Sequence, residues 1–67
     1  MEVTAICIKA DQRWWAIEVP EVPGALTQVA SLDDAADMAA DAVATVLEID
    51  PASVRVRVIV EPEVVRA

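Results

Sequence analysis

Val19-Pro20-Glu21-Val22-Pro23-Gly24-Ala25-Leu26-Thr27-Gln28, followed by Ser31-Leu32-Asp33-Asp34-Ala35, is the stretch on which the fold of this chain turns. Pro20 and Pro23 have no N–H to give to a β-ladder, so a strand arriving from the N-terminal side stops at Val19. Gly24 then permits a backbone turn that a residue with a Cβ would resist. Leu26 to Val29 reads as a short strand returning along the one before it. Ser31 is an N-cap candidate, and Asp33 and Asp34 bring carboxylates to the positive end of a helix dipole. Asp34 also stands where a capping box normally has Glu or Gln.

Working outward, Glu2 to Lys9 is rich in β-branched residues and too short and uncapped for a helix, so it reads as a first strand. Ala10 to Arg13 is a polar break, and Trp14 to Val19 is the second strand of an antiparallel hairpin. Alternation puts Trp15, Ile17 and Val19 on one face and Trp14, Ala16 and Glu18 on the outer one. On the C-terminal side a helix is predicted from Leu32 to about Glu48. Its core stripe is Ala35, Ala36, Ala39, Val43, Val46 and Leu47, opposite Asp34, Asp37, Asp41, Thr45 and Glu48. Asp50-Pro51 stops it. Val54-Arg55-Val56-Arg57-Val58-Ile59-Val60 alternates most clearly of all, with its valines toward the helix and Arg55, Arg57 and Ile59 on the far side. Pro62 ends that strand, leaving residues 1–62 as one domain and 63–67 as a tail.

The order β-β-β-α-β, with a right-handed crossover through the helix, predicts an α+β fold. Three strands form an antiparallel meander, and the fourth lies parallel to the first, in spatial order 3-2-1-4. The helix covers one face. The other carries Ile6, Ile8, Trp14, Ala16 and Ile59 among Glu18, Arg55 and Arg57, and is too apolar for a solvated face.

Size and composition point the same way. A chain of 67 residues makes one domain and, at this size, buries only about 60% of its unfolded surface. Such small domains draw on disulfides, metals or association. One cysteine, Cys7, excludes an internal disulfide, and with no histidine there is poor material for zinc. A hydrophobic content of 57% leaves apolar surface to cover, so a homo-oligomer, dimer or tetramer, is expected.

Five Lys and Arg against twelve Asp and Glu give a net charge of −7, which disfavours phosphate contacts and attracts a basic protein. Direct nucleic-acid binding is therefore not expected. Neither an apolar run of membrane length nor a cationic leader is visible, and the expectation is a cytoplasmic protein.

Catalytic constellations are absent from the reading. Without histidine there is no Ser/His or Cys/His pair, and a single glycine makes no phosphate loop. Cys7, mid-strand, reads as a small buried hydrophobe. Asp33, Asp34, Asp37 and Asp41 read as caps and a solvated helix face, since a Mg²⁺ or Ca²⁺ cage needs oxygens converging from several elements. No metal, cofactor or enzymatic activity is expected. Arg55 and Arg57 are expected to pair with Glu18 or Glu2 across the sheet. Trp14, outward beside Glu18, has the composition of an interface anchor.

A strand ending in Val-Pro-Glu-x-Pro-Gly, a short strand containing Thr27-Gln28, and a Ser31-capped helix opening Leu32-Asp33-Asp34-Ala35 resemble the HicB antitoxin family over residues 3–48. The comparable positions are Pro20, Glu21, Pro23, Gly24, Thr27, Gln28, Ser31, Leu32, Asp33, Asp34 and Ala35. The resemblance implies a partial ribonuclease-H-like fold and a bacterial toxin-antitoxin role. In that role the protein neutralises a small basic RNA-cleaving toxin, HicA, by contact. Partner-binding residues are then expected at Trp14, Glu18, Glu21, Arg55 and Arg57. Ala25 and Val29-Ala30 depart from the family's frequent Cys and Gly-Asp. No DNA-binding segment is expected after Ala67, so operon repression is not carried over. Ribonuclease H enzymes hold metals with carboxylates on the first strand, where this chain has Ala5-Ile6-Cys7-Ile8, so nuclease activity is not expected. The alternative is an oligomeric interaction or small-ligand module without a toxin.

Overall fold

Two proline turns in succession set the geometry of the whole molecule. A computed structural model describes residues 1–61. In it the Val22 N–H donates to the Val19 carbonyl at 3.1 Å, closing a turn with Pro20 at its second position. The Ala25 N–H then donates to the Val22 carbonyl at 3.0 Å, closing another with Pro23 second and Gly24 third. Gly24 has φ +93°, the value that the third position of a type II turn demands. The corner is not a surface loop. Val19, Val22 and Ala25, three residues apart, all point inward and are buried, so the turn carries part of the core. Strand alternation predicts the burial of Val19 alone.

The strands are β1 (Glu2–Lys9), β2 (Trp15–Glu18), β3 (Leu26–Val29) and β4 (Arg55–Glu61), with one α-helix, α1 (Ala35–Leu47). They form a four-stranded mixed sheet in the order β3-β2-β1-β4. The hairpin neighbours are antiparallel, and β1 runs parallel to β4, as expected for a strand that returns through a helical crossover. Trp14, expected in the second strand, lies just before it. The hairpin loop uses the Trp14 backbone instead: the N–H groups of Ala10 and Asp11 donate to its carbonyl, and its own N–H donates to the Asp11 carboxylate at 2.9 Å. Pro62 and residues 63–67 lie outside the described residues.

Ser31 caps as expected, its Oγ accepting from the Asp33 N–H at 3.2 Å. The first turn it caps, Leu32–Asp34, is a 3-10 turn, and the α-helix proper starts at Ala35. Asp34, at the N-cap of α1, makes no side-chain capping bond, so the capping box is not formed. The helix closes at Glu48, which adopts left-handed φ 56°, while the Ile49 N–H returns to the Ala44 carbonyl at 3.0 Å. Asp50 then caps the Pro51–Ser53 turn through the Ala52 N–H at 2.9 Å.

The core lies between α1 and one sheet face. Val3, Ala5 and Cys7 of β1, Ile17 of β2, Val29 of β3 and Ala35, Ala39 and Val43 of α1 are buried there. Small residues at Ala5, Ala25, Ala35 and Ala39 let the helix backbone approach the strands closely.

Two expectations for the core are corrected. Val46 and Leu47 are exposed although they sit on the same arc of the helix as Ala39 and Val43. Their direction is right, but the last turn overhangs its cover. Likewise Val54 and Val56 pack against the core, whereas Val58, at 38% exposure, and Val60, at 46%, do not. β4 is an edge strand, and the helix leaves its outer half bare.

A candidate protein-binding face

The strand register places on the uncovered face every second residue that the core does not use. Ile6 pairs with Glu18 on one side and Ile59 on the other, and Ile8 pairs with Ala16 and Glu61. Across β2, Glu18 faces Leu26 and Ala16 faces Gln28. Thr4 faces Arg57, and Glu2 faces Arg55. The face therefore divides. An apolar half holds Ile6, Ile8, Ala16, Leu26 and Ile59 with Glu18 among them, and a charged half holds Glu2, Thr4, Arg55 and Arg57.

Leu26 is the residue that sequence reasoning missed. It is 68% exposed, more than any other large hydrophobic residue described. Its pairing with Glu18 was the available signal, since it puts both on the same outer face. A shallow groove on this face runs along Ile8, Ala16, Glu18, Leu26 and Gln28.

Glu21 reaches this face from the corner. β2 accompanies β1 only from Ile6 to Lys9, so the first half of β1 has no neighbour on that side. Glu21 fills the gap: the Thr4 N–H and Oγ–H donate to its two carboxylate oxygens at 3.0 and 2.8 Å. These bonds, the backbone one foremost, hold its carboxyl below the usual carboxylate range, and Arg57 adds a smaller electrostatic pull. Glu21 thus ties the proline corner to the strand two positions away in the sheet.

Of the expected partner-binding residues, Glu18, Glu21, Arg55 and Arg57 reach one face, while Trp14 stands apart in the hairpin loop at the Ile8–Ala16 end. Trp14 is exposed, without a strand to fix it. Arg57 lies 3.9 Å from Glu2, the one ion pair among the described residues. Glu18, the other partner considered, sits instead between two apolar neighbours. Both members of the Arg57–Glu2 pair are well exposed, and the contact contributes little, about 0–1 kcal/mol. On the opposite face Lys9 caps the half-buried Trp15, its Nζ 4.8 Å from the ring centre.

The motif residues serve the fold. Pro20, Pro23 and Gly24 make the double turn, Ser31 caps, and Asp34 lies exposed at the helix start. Cys7 is fully buried, and burial pushes its thiol pKa up, away from nucleophilic reactivity. Among the described residues no three His, Cys, Asp or Glu side chains gather as metal ligands, and no helix is long and apolar enough to cross a membrane. Comparisons with protein-family models, curated proteins and solved structures returned no match.

Proposed function

We propose that this chain is a protein-binding module of the HicB antitoxin type, which neutralises a small basic RNA-cleaving protein of the HicA type by covering its RNA site. The observation that carries the reading is the uncovered sheet face, an apolar patch with Glu18 at its centre, on a protein of net charge −7. Ile6, Ile8, Leu26 and Ile59 supply the area to be removed from water, and the acidic field draws a cationic partner to it. Glu21 adds to that field, but Thr4 already occupies its oxygens. The sequence resemblance at Pro20 to Gly24 and at Ser31 to Ala35 is what narrows the partner to a toxin.

The test is light-scattering mass of the chain mixed with the product of any adjacent gene that encodes a short basic protein. A stoichiometric complex is expected, lost when Glu18→Lys is combined with Leu26→Asp. Binding that survives this pair of changes moves the interface off the open face. No complex at all favours a stand-alone oligomeric module, a reading to which the bare outer half of β4 also lends support.

A further inference from the structure

The outer edge of β4 carries charge toward its ends, at Arg55, Arg57 and Glu61, but none along Val58-Ile59-Val60. Exposed edges are usually blunted by charge, proline or a bulge. Here Val58, Ile59 and Val60 stand in a row, all exposed. Neighbouring residues in a strand point to opposite faces, so three in succession mean that β4 is uncovered on both faces at once.

Its backbone is equally available. The Arg55 N–H donates to the Met1 carbonyl at 2.7 Å. In a parallel ladder, alternate residues direct both peptide groups to the same neighbour. Arg55, Arg57, Ile59 and Glu61 therefore face β1, and the N–H and C=O of Val56, Val58 and Val60 point outward, where no described strand pairs with them.

We propose that β4 pairs antiparallel with β4 of a second copy, across a two-fold axis at Val58, joining two sheets into one. The sequence of the strand is self-complementary in this register. Val56 meets Val60 and Val58 meets itself, using the outward peptide groups. Arg57 meets Ile59 and Arg55 meets Glu61, so each end of the strand places a guanidinium opposite a carboxylate. A slip by one residue would turn the valines to the wrong face and misalign the free peptide groups. Moving the axis to Ile59 would put Arg57, already beside Glu2, opposite Glu61, and would leave Arg55 without a β4 residue across from it. In the proposed register the bare valines of each copy cover those of the other. The two open faces then run on continuously through Ile59.

The test uses the chain by itself, so its failure leaves the toxin-binding reading standing. Light scattering at micromolar concentration is expected to give twice the 7.2 kDa of one chain. Arg55→Glu alone, or Glu61→Arg alone, makes both end pairs repulsive and raises the dimer Kd about tenfold, while the two together restore it. Under mild oxidation Val58→Cys forms a covalent dimer and Ile59→Cys does so far more slowly. All four positions are exposed, and circular dichroism confirms that each variant is folded.

A monomer at every concentration overturns the proposal. So does a dimer indifferent to the charge exchange that gives no link at Val58, which would place the contact on the open face or the helix. Preferential linking through Ile59 overturns the axis.

Discussion

Cys7 has two neighbours at the same height on the helix face of the sheet, and they have opposite fates. Ile17, opposite it on β2, is 1% exposed, while Val60, opposite it on β4, is 46% exposed. Both are β-branched, both lie in alternating strands, and both point toward the helix layer. What separates them is cover. The β2 side is closed by α1 and by the inward-pointing residues of the proline corner, whereas the β4 side ends in a free edge. Burial here follows from position in the sheet rather than from the residue.

The largest expected effect attacks that difference directly. Ile17→Ala leaves a cavity that the packed corner cannot fill and costs about 2–5 kcal/mol, whereas Val60→Ala costs less than about 1 kcal/mol in dilute solution. Denaturant unfolding of both variants measures the contrast, and equal losses would mean that the two sides are equally covered. Because the proposed pairing buries Val60, its cost should grow with protein concentration while that of Ile17 should not.

Next in size is the corner that closes the β2 side. Gly24→Ala places a Cβ at φ +93°, and although no atom lies within 4 Å of it, the backbone conformation itself costs about 1–2 kcal/mol. A thermal shift without change in the denaturant slope is the expected signature.

Glu48 presents the mirror case at the end of α1. It holds a left-handed φ of 56° without being glycine, so Glu48→Gly is expected to stabilise the chain by up to about 1 kcal/mol. A loss of stability would show that its side chain matters more than its backbone.

The smallest effect is a pH dependence. The Glu21 carboxyl is lowered in the folded state by Thr4, so its contribution is complete above its unfolded pKa of about 4.5. It is lost as pH falls from there through the folded value. Glu21→Gln should flatten this part of the stability profile between pH 4.5 and the acid limb, leaving the slope from the other carboxylates.

Much of this architecture is legible in the residues. β-Branched content, alternation and the proline breaks together give all four strands, the Ser31 cap starts the helical segment within a turn, and the crossover rule gives the order 3-2-1-4. What is not legible has a common cause. Periodicity says which way a side chain points but not how far the opposing element extends, so Val46, Leu47, Val58 and Val60 point correctly and remain exposed. The burial of Val22 and Ala25 follows the three-residue rhythm of two turns, which neither the strand nor the helix template detects. On the candidate face, the register brings Glu18 and Leu26 together, and Leu26 becomes visible only through it. The grip of Glu21 on Thr4 joins residues 17 apart in sequence, beyond the reach of any local pattern.

Cys7 gives the molecule its own clock. It is the single thiol of the chain, it lies in the central strand between Ile17 and Val60, and no solvent reaches it in the folded state. A thiol reagent can modify it only while the sheet is open, so the labelling rate in native buffer reads the frequency of opening. Adding a partner that grips either the open face or the β4 edge would slow that clock.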